Sequence, residues 1–286
     1  MISARGVVAV DGPSGLRVRA RDVGLRGPRG WVFRGVRVDA EPGALVAVRG
    51  PSGSGRTCLL LALTGRMRLT EGTASVGGLE LPRRMPALRR VSALAHVPGV
   101  TDLDPALTVA EHLRERVLLQ RRFGESPRAL LRPRRERGAA ARARIEDASA
   151  AAGLDLAALP KGPRTAVRDL ERLEALRLSV ALALLGRPRL LAVDDVELKL
   201  SAEERAAARS LLASIAAAGT TVLAVCAEAP EGAVTVSTGA RDEPGTGDDA
   251  ANSRRYGSDR PEETDPAGGA DGTKGVADAF AQAGRA

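Results

Sequence analysis

The sequence predicts an α/β fold whose mainly parallel sheet is covered on both faces. Three observations predict it. A glycine-rich run, Gly50-Pro51-Ser52-Gly53-Ser54-Gly55-Arg56-Thr57, lies between two apolar runs. A second apolar run, Leu190-Leu191-Ala192-Val193, ends in Asp194-Asp195. Between and after these, short aliphatic or β-branched stretches alternate with longer helical ones, which is the order of a parallel sheet wrapped by helices.

The glycine-rich run has the spacing of a phosphate-binding loop: Gly, four free positions, then Gly, a basic residue and Ser or Thr. Gly50, Gly55 and Thr57 fit, and Arg56 stands where lysine is usual. Glycines let a backbone wrap a polyphosphate with its N–H groups turned inward. The helix that follows aims its positive end at the same charge. Ala44 to Val48 reads as a buried strand, and Cys58 to Leu63 as a buried helix stopped at Thr64-Gly65. Both flanks suit the motif better than the alternative of a Gly/Ser-rich surface turn. The binding segment is therefore Gly50, Pro51, Ser52, Gly53, Ser54, Gly55, Arg56, Thr57 and Cys58, with Thr57 placing a hydroxyl on Mg²⁺. Arginine is longer, planar and forked where lysine is a compact point charge.

The remaining segments follow in order. Residues 1–15 form a loose lead. Leu16 to Ala20 and Val32 to Val38 alternate apolar and basic residues, as half-exposed strands do. Gly72 to Gly78 is a further strand and turn. From about 101 to 165 the pattern is helical, opening on a capping box at Thr108 and Glu111. Eleven arginines lie between Arg114 and Arg144, read either as a solvated helical face or as a contact for nucleic acid or anionic lipid. A helix from Glu171 to Leu185 stops at Gly186, and a second capping box, Ser201 and Glu204, opens another that stops near Gly219. Thr220 to Val225 is a strand, and after about Pro230 the pattern decays. Residues 240–286 are rich in Gly, Asp, Glu, Pro and Ala, and are expected to form a disordered tail.

Composition narrows the function. The hydrophobic fraction is 44% but aromatics are only 2%, so aliphatic side chains must fill the core. No run approaches the roughly 20 apolar residues of a membrane span. The N-terminus lacks the order of a secretory signal, and Cys58 and Cys226 lie in apolar segments, as expected in a reducing cytoplasm. Two Cys and two His at scattered positions give no zinc-ligand spacing. The net charge is +8, almost all from arginine, yet no interleaved aromatics or reading motif accompany it, which argues against a nucleic-acid-binding protein.

Taken together these features resemble the nucleotide-binding domain of ABC transporters, over residues 16–239. Leu107 to Leu113 is similar to the "LTV.E.L" opening of that family's helical subdomain. Ala181 to Pro188 is similar to the lead into its Walker B strand, Leu190 to Asp194. The resemblance implies a P-loop NTPase fold of the ABC type, with an N-terminal antiparallel β part and a helical subdomain at about 101–175. It implies ATP and Mg²⁺ as ligands, with Thr57 and Asp194 at the metal, and a separate membrane-spanning subunit as partner at the cytoplasmic face of the membrane. It also places a coupling segment of that subunit between Pro98 and Leu107 and the start of the arginine-rich helix, with Arg114, Arg116, Arg121 and Arg122 as docking charges. A small-molecule kinase would not need the long helical insert between the loop and Asp194.

Several functional positions of the family are changed. Asp195 stands for the glutamate that helps activate water, one methylene shorter. A shortfall of about an ångström costs on the order of 100-fold in rate. Leu170-Glu171-Arg172-Leu173-Glu174 replaces the Leu-Ser-Gly-Gly-Gln signature. The Q-loop glutamine falls at Gly99, the switch histidine at Ala227 and the D-loop aspartate near Ser201. Trp31 is read either as an adenine-stacking residue or as a core-edge residue. These changes imply impaired hydrolysis, and a heterodimer with a more complete subunit or a pseudo-ATPase scaffold.

Overall fold

The computed structural model describes residues 15–124 and 133–239, with the side chains of 121–124 and 134 excepted. The N-terminal lead and the expected tail from residue 240 fall outside the described residues, apart from Gly15.

Two sheets organise the chain. The first is antiparallel, of order β2-β1-β4-β5: β1 (Val18–Gly27), β2 (Gly30–Ala40), β4 (Glu71–Val76) and β5 (Leu79–Leu81). The second is parallel, of order β6-β7-β8-β3-β9: β3 (Leu45–Arg49), β6 (Ser92–Ala95), β7 (Leu190–Val193), β8 (Thr221–Val225) and β9 (Val234–Ser237). The helices are α1 (Arg56–Leu63), α2 (Met85–Val91), α3 (Val109–Gly124), α4 (Arg134–Ala151), α5 (Arg172–Leu184) and α6 (Ala202–Ala217).

The central strands β7 and β8 are buried on both faces, which explains their apolar sequences. Successive residues point to opposite faces. Leu190, Ala192, Leu223 and Val225 pack with α1 and the antiparallel sheet, around Val18, Val23, Phe33, Leu59 and Leu60. Leu191, Val193, Val222 and Ala224 pack with α3, α5 and α6, around Leu113, Leu176, Leu178 and Leu212. The first sheet keeps a wet face, so β1 and β2 alternate buried aliphatics with exposed arginines.

Three helix starts are closed by side chains. Thr108 and Glu111 form the expected box at α3, where the Thr108 N–H donates to Glu111 Oε2 at 2.8 Å. Ser201 and Glu204 do the same at α6. Glu171 caps α5 reciprocally with Glu174, so the changed signature positions also serve as a helix cap.

One strand escaped the sequence reading. The pattern was expected to decay after Pro230, but β9 pairs in parallel with β3, Val46 opposite Val234 and Arg49 opposite Ser237. Its four residues alternate too briefly to stand out, and its stability comes from ladder bonds to a strand far away in sequence.

Thr221, at the start of β8, joins the two sheets. Its buried hydroxyl accepts from the Leu16 N–H at 2.9 Å and the Gly43 N–H at 3.0 Å, and donates to the Leu16 carbonyl at 2.8 Å. Thr221→Val keeps the shape and leaves these backbone groups unpaired. It should lower unfolding stability by about 2–4 kcal/mol in urea melts, without changing the far-ultraviolet spectrum.

Candidate nucleotide site

β3 ends at Arg49 and the chain enters the glycine loop. Gly50 and Gly55 both have positive φ, 153° and 81°. A Cβ on Gly50 would lie 2.5 Å from the hydroxyls of Ser54 and Thr238. A Cβ on Gly55 would lie 2.6 Å from Val32 Cγ1 and 2.9 Å from Phe33 Cδ1. The loop is therefore pressed against β2 on one side and the end of β9 on the other. Ser54 and Thr238 share a 2.6 Å hydroxyl contact that holds the second side.

Gly55 starts α1 in a left-handed conformation, with no side-chain cap and no acid in the first turn. The first intrahelical bond runs from the Leu59 N–H to the Gly55 carbonyl at 2.9 Å. The N–H groups of Arg56, Thr57 and Cys58 precede it and have no acceptor within the helix. Open donors at a helix start, with a glycine cradle before them, make a site for phosphate oxygens.

Thr57 Oγ1 donates to Asp194 Oδ2 at 2.5 Å. Asp194 directly follows β7, is 1% exposed, and accepts a second bond from the Asp195 N–H at 3.0 Å. Burial pushes its carboxyl above the ordinary range; the Thr57 hydroxyl opposes this and the charge of Asp195 adds to it. A buried, under-compensated carboxylate beside a hydroxyl, at the edge of a phosphate cradle, is a fitting pair of oxygens for a hard cation such as Mg²⁺. Cys58 is half-buried, its thiol pushed up by burial and by Asp194, and acts as an inert wall.

Asp195 has a φ of 41° and turns back towards the loop, its Oδ1 3.9 Å from Arg56 Nη2. The longer basic residue and the shorter acid thus face each other across the site.

His96 was missed by the sequence reading. β6 ends at Ala95, so the side chain that leaves the sheet beside Asp194-Asp195 belongs to His96. Its φ is 50°, and its N–H is fixed by Ser179 Oγ at 2.7 Å. Burial lowers its pKa, against the opposing charges of Asp195, Asp194 and Asp102. Gly99, where the Q-loop glutamine was expected, lies farther on in a turn with its N–H given to Asp102. The available signal was a polar residue closing an apolar strand.

The other changed positions are tied up structurally. The Ala227 N–H donates to Glu197 Oε2 at 2.8 Å, and Glu197 is also bound by Arg209 at 2.7 Å. Ser201 is spent on its helix cap. Trp31 is 44% exposed, with the Arg34 guanidinium 4.6 Å from its ring centroid and Arg26 at 5.8 Å. Arg34 also makes two bonds to Glu71, so that Trp31 belongs to a surface cluster.

A braced glycine loop, an open helix start and a bonded Thr57–Asp194 pair at the ends of parallel strands have the arrangement of a P-loop protein. The family model for ABC transporters matches residues 33–197, and the chain belongs to that family. It is 32% identical over 187 residues to the Nod factor export ATP-binding protein I of Cupriavidus metallidurans, covering 65% of this chain and 54% of that protein. It is 32% identical over 204 residues to the cytochrome c biogenesis ATP-binding export protein CcmA of Bordetella parapertussis, covering 71% and 79%. The chain thus spans about half the length of the first relative. In fold it is similar to a dimeric post-hydrolysis ATP-binding cassette bound to ADP and Pi, with a TM-score of 0.56 and 21% identity over 74% of this chain and 88% of the other. It is likewise similar to cbiO1 of Clostridium perfringens, described as part of the cbiONQ complex, with a TM-score of 0.58 and 15% identity over 74% and 78%. The ABC-type nucleotide-binding fold expected from the sequence is therefore the fold of this chain.

The raised pKa of Asp194 fixes a sign. The unfolded chain releases this proton near the ordinary value of 3.8, and the folded chain holds it to higher pH. The folded state binds more protons between the two values, so stability falls as pH rises through them, and the penalty is complete above. Asp194→Asn, whose amide can still bond both Thr57 and the Asp195 N–H, should raise Tm at pH 7 in the absence of Mg²⁺. Melting curves taken at descending pH should show that gain shrinking towards pH 4.

Proposed function

We propose that this chain is the ATP-binding subunit of an ABC transporter. In this reading it binds Mg-ATP on Gly50 to Cys58, works at the cytoplasmic face of the membrane beside a separate membrane-spanning subunit, and hydrolyses ATP poorly by itself. The observation that carries the proposal is the 2.5 Å Thr57–Asp194 bond at the open start of α1.

The residues divide the work by their chemistry. The loop N–H groups hold the phosphates, and Arg56 adds a forked cation beside them. Thr57 and Asp194 would hold Mg²⁺, which supplies charge neutralisation at the phosphate oxygens. Asp195 would orient water, but its nearest cation is Arg56 at 3.9 Å and its side chain is short. Gly99 has no side chain and Ala227 has only a methyl, so neither offers a polar group at its position. Glu171 and Glu174 put two carboxylates where the family presents a serine to the partner's nucleotide. Two like charges in a dry phosphate site are unfavourable, which supports pairing with a more complete subunit over a homodimer.

A pseudo-ATPase scaffold is the second reading. It is favoured by the same capping box, because Glu171 and Glu174 each take a backbone N–H of the other and set two carboxylates at the start of α5. Among the described residues no helix is long and apolar enough to cross a membrane, which fits a separate membrane subunit.

Isothermal titration should show Mg-ATP binding in the wild type, and a clear weakening in Thr57→Ala that is largest when Mg²⁺ is present. No heat at millimolar ATP would remove the proposal. Gly55→Asp is a poor probe, because its Cβ alone strikes Val32 and Phe33.

Turnover of the purified chain should sit near background. An ordinary rate of about 1 s⁻¹ or more would show that the changed positions do not impair it. Arg56→Lys alone should leave the rate low, since the other changed groups remain.

A further inference from the structure

Gly99 and Ala227 offer the nucleotide site no polar side chain, but a different strand brings one in. β6 pairs with β7 in parallel, Ala95 opposite Val193, so the residue after β6 stands level with Asp194. That residue is His96. The other flank of β7 belongs to β8, where Ala224 lies opposite Val193 and Ala227 follows two residues beyond the strand. The family carries its switch histidine on that flank, and this chain carries a histidine on the opposite one. In the sheet order β6-β7-β8-β3, His96 is therefore on the side of Asp194 away from the glycine loop.

The backbone of His96 is pinned and its ring is free. Its φ of 50° is a conformation that residues with side chains seldom adopt, and Asp195 next door has a φ of 41°. Such outliers persist where the surroundings over-determine them, and they cluster at ligand sites. Here the hold comes from Ser179, a buried serine of α5 whose hydroxyl accepts from the His96 N–H at 2.7 Å. The ring is half-buried, and among the described residues its nitrogens make no hydrogen bond and no ion pair. The other histidine, His112, has its Nε2 3.2 Å from the Asp104 carbonyl. Burial of the His96 ring works against the charges of Asp195, Asp194 and Asp102, which all reach it. An imidazole offers an N–H in either protonation state, and so a donor to a phosphate oxygen.

We propose that His96 binds the terminal phosphate of a nucleoside triphosphate and makes the site prefer a triphosphate to a diphosphate. The proposal rests on the reading of Gly50 to Cys58 as a nucleotide site and adds to it a ligand-binding residue from β6. The open N–H groups at the start of α1 serve a diphosphate and a triphosphate alike. A donor beyond Asp194, on the side away from the loop, serves only the longer chain of phosphates.

The chain has two histidines, so the ring of His96 can be followed in the full chain with His112 as an internal reference. Long-range proton–nitrogen spectra should show the His96 ring nitrogens shifting with Mg-ATP and staying near their free positions with Mg-ADP. The His112 signals should stay in place with both. His96→Gly accepts the left-handed backbone and removes the ring. By isothermal titration it should bind Mg-ATP about tenfold more weakly, the worth of one hydrogen bond to a charged group, and Mg-ADP as the wild type does. A histidine that only supports the fold would weaken both nucleotides together. Equal shifts with the two nucleotides, no shift while both bind, or equal affinities of variant and wild type for Mg-ATP would overturn the proposal, as would that joint weakening. Wild-type titration separates the two failures. Binding of both nucleotides without the difference sinks the role of His96 alone, and absence of binding sinks the nucleotide site itself.

Discussion

The Thr57–Asp194 hydrogen bond joins residues 137 positions apart, and most of the architecture serves to make it possible. Asp194 follows β7 directly and Thr57 lies in the first turn of α1, beyond the loop that leaves β3, and β3 and β7 are separated in the sheet by β8 alone. Parallel register brings their C-terminal ends level: Val48 sits opposite Val225, and Val193 opposite Ala224. A slip of one residue in either pairing would turn Asp194 from the crevice into a packed face, where a carboxylate has no partner. The unbroken aliphatic sequences of these strands make such a slip costly on both faces at once.

The helix starts show how one physical need is met in two ways. Every helix begins with backbone donors that lack internal acceptors. At α3, α5 and α6 a carboxylate or hydroxyl from the chain itself takes one of them. At α1 no side chain does, and the acids nearby are held off in the next strand turn. The contrast between α1 and α5 matters most for chemistry, since the family uses both helix starts around its nucleotide. In this chain one is left open and the other carries its own pair of carboxylates.

Much of this was legible beforehand because it is local. The strand, loop and helix from Leu45 to Leu63 announce themselves by composition, and the boxes at Thr108 and Ser201 by spacing. What the sequence hid depends on distant partners. β9 is four residues long and exists through β3. His96 looks like one polar residue in a loop until the end of β6 sets it beside Asp194. The acids at 171 and 174 suggested a damaged phosphate contact, whereas their immediate role is to close α5. The arginine count along α3 suggested a basic docking surface. Arg116 instead turns inward to a carbonyl, and Asp102, Asp104 and Glu115 line a cleft beside it.

The brace on the phosphate loop has a consequence for the order in which the molecule is completed. Ser54 is held by Thr238, 184 residues later in the chain, and the Thr238 N–H also bonds the Arg49 carbonyl at 3.0 Å. At synthesis rates of about 5–20 residues per second, the loop waits roughly 10–40 s for that support. During that interval Asp194 and β8 emerge in turn, so the site closes from the helix side first and from the β9 side last. A nascent chain paused before residue 234 would carry the whole glycine motif and still lack its outer wall.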